Sequence, residues 1–212
     1  MKRRALIIGC GWHTRDLLAR YPATSEQKRL WLTPDDQEAP PDVAHYALRL
    51  RGEDVNRLYF DARTRQWSGP NWRNWGARLL TTRIWGRLAY QAHIIRLQNT
   101  IAGLLSPGRG VEKDERNRPI SIYLLAHLHD PFSSGFVLDL AYLLHDLALS
   151  RNGRVFGVLF VPGYNDDPLL RGQQEDSALR RWANATAFAA LRELAFYQGD
   201  ESVYNNHHPD LR

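Results

Sequence analysis

Apolar residues in this chain come in two patterns. Short continuous runs stand at residues 4–8 (RALII), 29–32 (RLWL), 120–126 (ISIYLLA) and 155–161 (VFGVLFV). Such runs predict strands covered on both faces. Residues 46–50 alternate instead, which predicts a strand of edge type. Between the runs, apolar positions recur every three or four residues, the helical period. Residues 12–21 predict a helix opened by the Gly9-Cys10-Gly11 turn, with Thr14 or Asp16 near its start. Residues 74–104 form the longest such stretch, through Trp75, Leu79, Leu80, Ile84, Leu88, Ile95 and Ile101. Residues 136–149 predict a helix closed at Gly153, and residues 176–197 a last one with Trp182, Ala185, Phe188, Leu191 and Leu194 among its apolar positions. Residues 53–70, 106–118 and 166–172 read as polar connections, and residues 199–212 as a polar tail that frays.

Strands alternating with helices predict an α/β fold, a three-layer parallel sheet of Rossmann-like type, in one domain over residues 1–198. Right-handed crossovers then put ligands at the carboxyl ends of the strands. The loops at residues 9–14, 33–36, 126–135 and 162–167 should share that edge.

Charge and composition narrow the classes. The net charge of +5 comes almost wholly from arginine. The arginines are spread out and no recognition motif accompanies them, so a solvated basic surface is expected and nucleic acid is not. No stretch reaches the roughly 20 apolar residues of a membrane span. One cysteine, Cys10, excludes an internal disulfide. A cytoplasmic setting is the expectation.

The candidate chemistry sits in three places. Gly9-Cys10-Gly11 follows the first strand, where two glycines let a backbone approach a phosphate. Thr14 stands where a dinucleotide fingerprint needs its third glycine, and no Walker-type GK[ST] occurs. Residues 127–135 (HLHDPFSSG) follow the fourth run, where backbone N–H groups and a helix N-terminus favour an anion. His127 and His129 share one face there, but no third metal ligand is evident and no metal is expected. Ser133 and Ser134 lie outside any G-x-S-x-G elbow, so no catalytic nucleophile is assigned. Cys10 reads as a small buried side chain. Asn184, among small neighbours in the last helix, is placed to read a base.

Together these segments resemble the tubulin/FtsZ superfamily, in particular its divergent bacterial tubulin-like members. LIIGCGWHTRDLLARY is similar to the first phosphate loop and its helix. RLWLTPDD stands at the second strand and its acidic loop. SIYLLAHLHDPFSSGFVLDLAYLLHDL is similar to the strand, glycine-rich signature and helix that follow. VFGVLFVP matches the next strand, and ANATAFAALRELAFY the base-contacting helix. The resemblance implies a nucleotide-binding domain for GTP or GDP with Mg. Gly9, Cys10, Gly11, Asp35, Ser133, Ser134, Gly135 and Asn184 would hold phosphate and base. The departures are equally specific. Only Ser134 and Gly135 keep the end of the signature, while Asp130 brings a carboxylate toward the phosphates, and Pro131 removes a donor.

Three functions follow as expectations. The first is a domain that binds guanine nucleotide weakly or not at all and acts as an assembly or scaffold module, with a protein partner or self-association. The second is a protein-interaction module without nucleotide, working through the tryptophan-rich stretch at residues 72–85. The third is a GTPase whose catalytic acid comes from another chain.

Overall fold

The computed structural model describes residues 4–20, 24, 26–51, 54, 83–106, 118–162 and 177–198. In chain order these form β1 (Arg4–Cys10), a 3-10 turn (Trp12–Thr14), α1 (Arg15–Arg20), β2 (Gln27–Thr33) and β3 (Ala44–Ala47). Then come α2 (Arg83–Leu105), β4 (Ile120–His127), α3 (Pro131–Leu149), β5 (Arg154–Phe160) and α4 (Ser177–Gln198). The strands make a five-stranded sheet in the order β3-β2-β1-β4-β5, with every neighbouring pair parallel. The α/β expectation therefore holds. The order reverses between β1 and β4, the switch point at which such sheets bind ligands, and there the turn after β1 meets the start of α3.

Strand alternation divides the sheet into two faces. Leu6, Ile8, Leu30, Leu32, Ile122 and Leu124 point to one side and form the main core with α2 and α3. Ile7, Trp31 and Leu125 point to the other and meet Leu18 of α1. The predicted tryptophan face of the long helix falls partly outside the described residues, which exclude Trp72, Trp75, Leu79 and Leu80. Trp85, inside them, is buried in the main core against Phe132. Residues 55–70, 107–117, 163–172 and the tail at 199–212 also lie outside the described residues.

Several boundaries differ from the sequence expectation. The first helix is broken into a 3-10 turn and six helical residues. The third strand covers Ala44–Ala47, earlier than 46–50. The stop after α3 uses Asn152 as its left-handed residue (φ 52°), with the Gly153 N–H donating to the Ala148 carbonyl at 2.8 Å. Two differences matter more. α3 begins at Pro131, not at 136, because Asp130 caps it and Pro131 fills the first helical position. β5, expected to be covered on both faces, is the edge strand and is half-exposed.

α2 and α3 pack backbone against backbone. A Cβ on Gly86 of α2 would overlap the Phe132 carbonyl, and a Cβ on Gly135 of α3 would overlap the Arg83 carbonyl. Each helix thus offers a glycine to the other. Around this crossing, Arg83 donates to the Ser134 carbonyl at 2.9 Å and pairs with Glu193 of α4. Arg87 reaches the buried Asp139 at 3.4 Å and Glu193 at 3.4 Å. The network ties three helices together and takes two arginines away from the expected solvated surface.

The crossing makes a sharp prediction. Gly86→Ala and Gly135→Ala should each destabilise the chain by about 3 kcal/mol in urea unfolding, despite the better helix propensity of alanine. Gly157→Ala in β5, where an added Cβ meets nothing within 4 Å, is the control and should change stability by under about 0.5 kcal/mol. Equal effects at all three positions would mean that the helices separate freely.

Candidate functional site

The switch point between the ends of β1 and β4 is built by three short segments. β1 ends in Cys10, whose side chain is fully buried in the main core. Burial raises the thiol's pKa, and the Asp130 carboxylate raises it further. This matches the reading of a small buried side chain rather than a reactive thiol. Gly9 is required because a Cβ there would lie 2.6 Å from Thr14 Oγ1 and 2.8 Å from Leu18, so α1 can sit close to the strand.

Gly11 adopts a left-handed φ of 80°, which favours glycine. A Cβ there would also collide with the Asp130 carboxylate. The polar groups of Gly11 are engaged. Its N–H donates to the Leu32 carbonyl at 2.8 Å, and its carbonyl accepts from Thr14 Oγ1 and the Trp31 indole, each at 2.9 Å.

Opposite Gly11 lies the start of α3. The Asp130 carboxylate accepts from the N–H of Phe132 at 3.1 Å, the N–H of Ser133 at 3.2 Å and the Ser133 hydroxyl at 2.7 Å. The Ser134 N–H donates to the Asp130 carbonyl at 2.9 Å. These are the donors that a helix N-terminus would otherwise present to an anion. Ser133 and Ser134 are buried within the helix rather than exposed on a loop, and Gly135 serves the crossing with α2. The structure thus brings Cys10, Gly11, Ser133 and Ser134 together around Asp130, whereas Gly9 faces Thr14 and Leu18.

Asp35 lies on the same edge, after β2. Its carboxylate accepts from the Trp12 indole at 3.2 Å, and its carbonyl accepts from the Thr33 hydroxyl. That hydroxyl also lies 2.6 Å from His45 Nε2. Asn184 is different. Its side chain is exposed, and α4 is tied to the start of α3 through Glu193, nine residues further on, or about 13 Å along a helix axis.

One group escaped the sequence reading. His13, in the 3-10 turn, meets both histidines after β4. The ring centroids are 5.3 Å apart for His13 and His127, and 5.2 Å apart for His13 and His129 and for His127 and His129. Phe160 of β5 stacks on His127 at 4.6 Å. Nothing in the local sequence around His13 marks it, because the contact is made by the neighbouring strand. Among the described residues no group of three or more ligating side chains is arranged to hold a metal ion. The rings pack as an aromatic cluster on the sheet edge.

The class defined by fold and site is a parallel α/β domain in which a carboxylate of the chain itself caps the helix that starts at the switch point. No family model, curated protein or solved structure matches the chain. Of the described helices, α3 alone is long and apolar enough to cross a membrane; most of it is buried against the sheet and α2.

Two outcomes are expected. Asp130→Ala removes the helix cap and leaves buried donors unsatisfied, which should cost about 2 kcal/mol in chemical denaturation. A cost below about 0.5 kcal/mol would mean that the amides find other partners. His45 is held below its ordinary pKa of 6.5 by burial, which outweighs the attraction of Asp35. The native state therefore binds fewer protons there than the unfolded chain. The associated stability is present above pH 6.5 and is lost as pH falls through the folded value. An NMR titration should place the His45 midpoint below 6.5, and a midpoint above it would make Asp35 the dominant influence.

Proposed function

We propose that this chain is a divergent tubulin-like domain that binds guanine nucleotide weakly or not at all and acts as an assembly or scaffold module. The observation that carries the reading is the Asp130 carboxylate bound to the first amides of α3. In the resemblance, these amides belong to the signature segment that would cradle phosphate. A phosphate arriving there would have to displace a buried carboxylate and would meet its charge. In the Gly9-Cys10-Gly11 turn, the Gly11 N–H is spent on the Leu32 carbonyl. Further support is the strand order, which is that of the first five strands of a doubly wound mononucleotide-binding sheet.

The interaction-module reading rested on the tryptophans of residues 72–85. Burial of Trp85 in the core removes one of them from the surface. The GTPase reading gains no specific observation.

Isothermal titration of the full chain with GTP, GDP and ATP in the presence of Mg tests the proposal. The expected dissociation constants are weaker than about 100 μM for all three. Asp130→Gly, which frees the amides and removes the charge, should tighten GTP binding by about tenfold if the switch point is a vestigial nucleotide site. Micromolar GTP binding by the unaltered chain, lost on Asn184→Ala, would overturn the reading in favour of a working base-reading site.

A further inference from the structure

Ligands of open parallel sheets lie outside the carboxyl ends of the strands, and that edge extends past the switch point. At its other end, beyond β3, lies an open cleft of about 640 Å³, within the roughly 300–1,000 Å³ usual for small-molecule sites. One wall is the chain just past β2 and β3, with Asp36, Arg49, Arg51 and Asp54. The other is the middle of α2, with His93 and Arg96.

The two walls are tied together. His93 Nε2 donates to the Arg49 carbonyl at 2.7 Å; a carbonyl only accepts, so this nitrogen carries a proton. Nδ1 of the same ring lies 3.2 Å from the Tyr46 hydroxyl of β3. The backbone that carries Arg49 is thereby held against α2. Arg96 stands on the Tyr46 side, where its charge opposes the rise that burial imposes on the pKa of the phenol.

The charges of the cleft do not cancel. Arg49 is paired with Asp36, and the Asp54 carboxylate accepts from the Arg51 N–H at 3.2 Å. The guanidinium groups of Arg51 and Arg96 pair with no carboxylate among the described residues. A solvated basic surface spreads such charges apart, whereas here two separate elements bring them to one concave place at the ligand edge of the sheet.

We propose that this cleft binds a small organic anion with at least two negative charges, a phosphate ester or a polycarboxylate, gripped by Arg51 and Arg96. The planar guanidinium fork matches phosphate and carboxylate alike, and two forks from opposite walls call for an anion that offers each of them an oxygen pair. An anion between them also relieves the repulsion of like charges. Ala47, Ala92 and Ile94 line the same cleft and give the carbon body of the ligand an apolar surface. The inference goes beyond the proposed function and does not rest on it. The cleft is at the β3 end of the sheet, with β2 and β1 between it and the switch point.

An NMR titration of the full ¹⁵N-labelled chain with pyrophosphate, and separately with citrate, at about 50 mM salt tests the site. Amide shifts should concentrate in residues 47–51 and 91–96 and saturate with a dissociation constant of about 0.1–1 mM for at least one probe. The tighter probe tells phosphate from carboxylate. Arg51→Ala and Arg96→Ala should each weaken that binding at least about fivefold, with Arg51→Gln and Arg96→Gln as replacements should an alanine variant not fold. Arg154→Ala, at the start of the exposed β5, should leave it unchanged. Shifts scattered over the surface, no saturation with either probe, or an equal loss in Arg154→Ala would overturn the proposal. Asp130→Gly should leave the affinity for these probes as it was. Binding that responds to Asp130 and not to Arg51 or Arg96 would place the anion at the switch point and overturn the proposal, whereas the guanine-nucleotide titration reads the proposed function separately.

Discussion

The closest constraint in this molecule is the contact between two helix backbones at Gly86 and Gly135. Neither glycine could carry a side chain without displacing a carbonyl of the facing helix. The contact fixes how deeply α3 sits over the sheet, and with it the position of the first turn of α3. Phe132 and Phe136 then fill the core beneath, against Trp85 and Tyr90 of α2. The Arg83 and Arg87 guanidinium groups close the outside of the crossing by joining Ser134, Asp139 and Glu193. Asp139 is almost fully buried, so its pairing with Arg87 meets a need, since an unpaired carboxylate at that depth would be costly.

That placement of α3 creates the character of the switch point. Asp130 ends up over Gly11, where any Cβ would strike it, and bonded to the amides of its own helix. A helix N-terminus is a general anion site because its donors are unsatisfied. Here the anion is covalently part of the chain, present at effectively unlimited concentration, and already hydrogen-bonded to Ser133. A diffusible phosphate competes with that only at a loss of the cap. The same arrangement explains the left-handed backbone at Gly11, since the turn must make room for the carboxylate.

Most of the fold was legible in the sequence because apolar runs and helical spacing report burial directly. RALII, RLWL and ISIYLLA became strands where expected, and the last helix was placed to within a residue. The start of α3 lies five residues before the expected Phe136, although its signal is present in the sequence. Asp130-Pro131 is a cap followed by a first-position proline, and the same residues also fit the pattern of a phosphate loop. The role of Gly135 could not be read, since it depends on a helix that is remote in sequence. The same holds for His13, whose partners lie across the β1–β4 pair. Local patterns encode elements, whereas crossings and clusters are set by which elements meet.

β5 departs from that scheme in an informative way. VFGVLFV has the composition of a strand buried on both faces, yet it stands at the sheet edge, half-exposed. Edge strands that evolve in contact with water acquire charges, prolines or bulges. In β5 only the first residue, Arg154, is charged and no proline occurs, and α4 likewise exposes Phe188 on the side away from its packed alanines. Among the described residues, sequence and exposure disagree at both places in the same direction, with more apolar character than their exposure predicts. Exposed apolar surface of this extent costs solubility without adding stability unless it is covered.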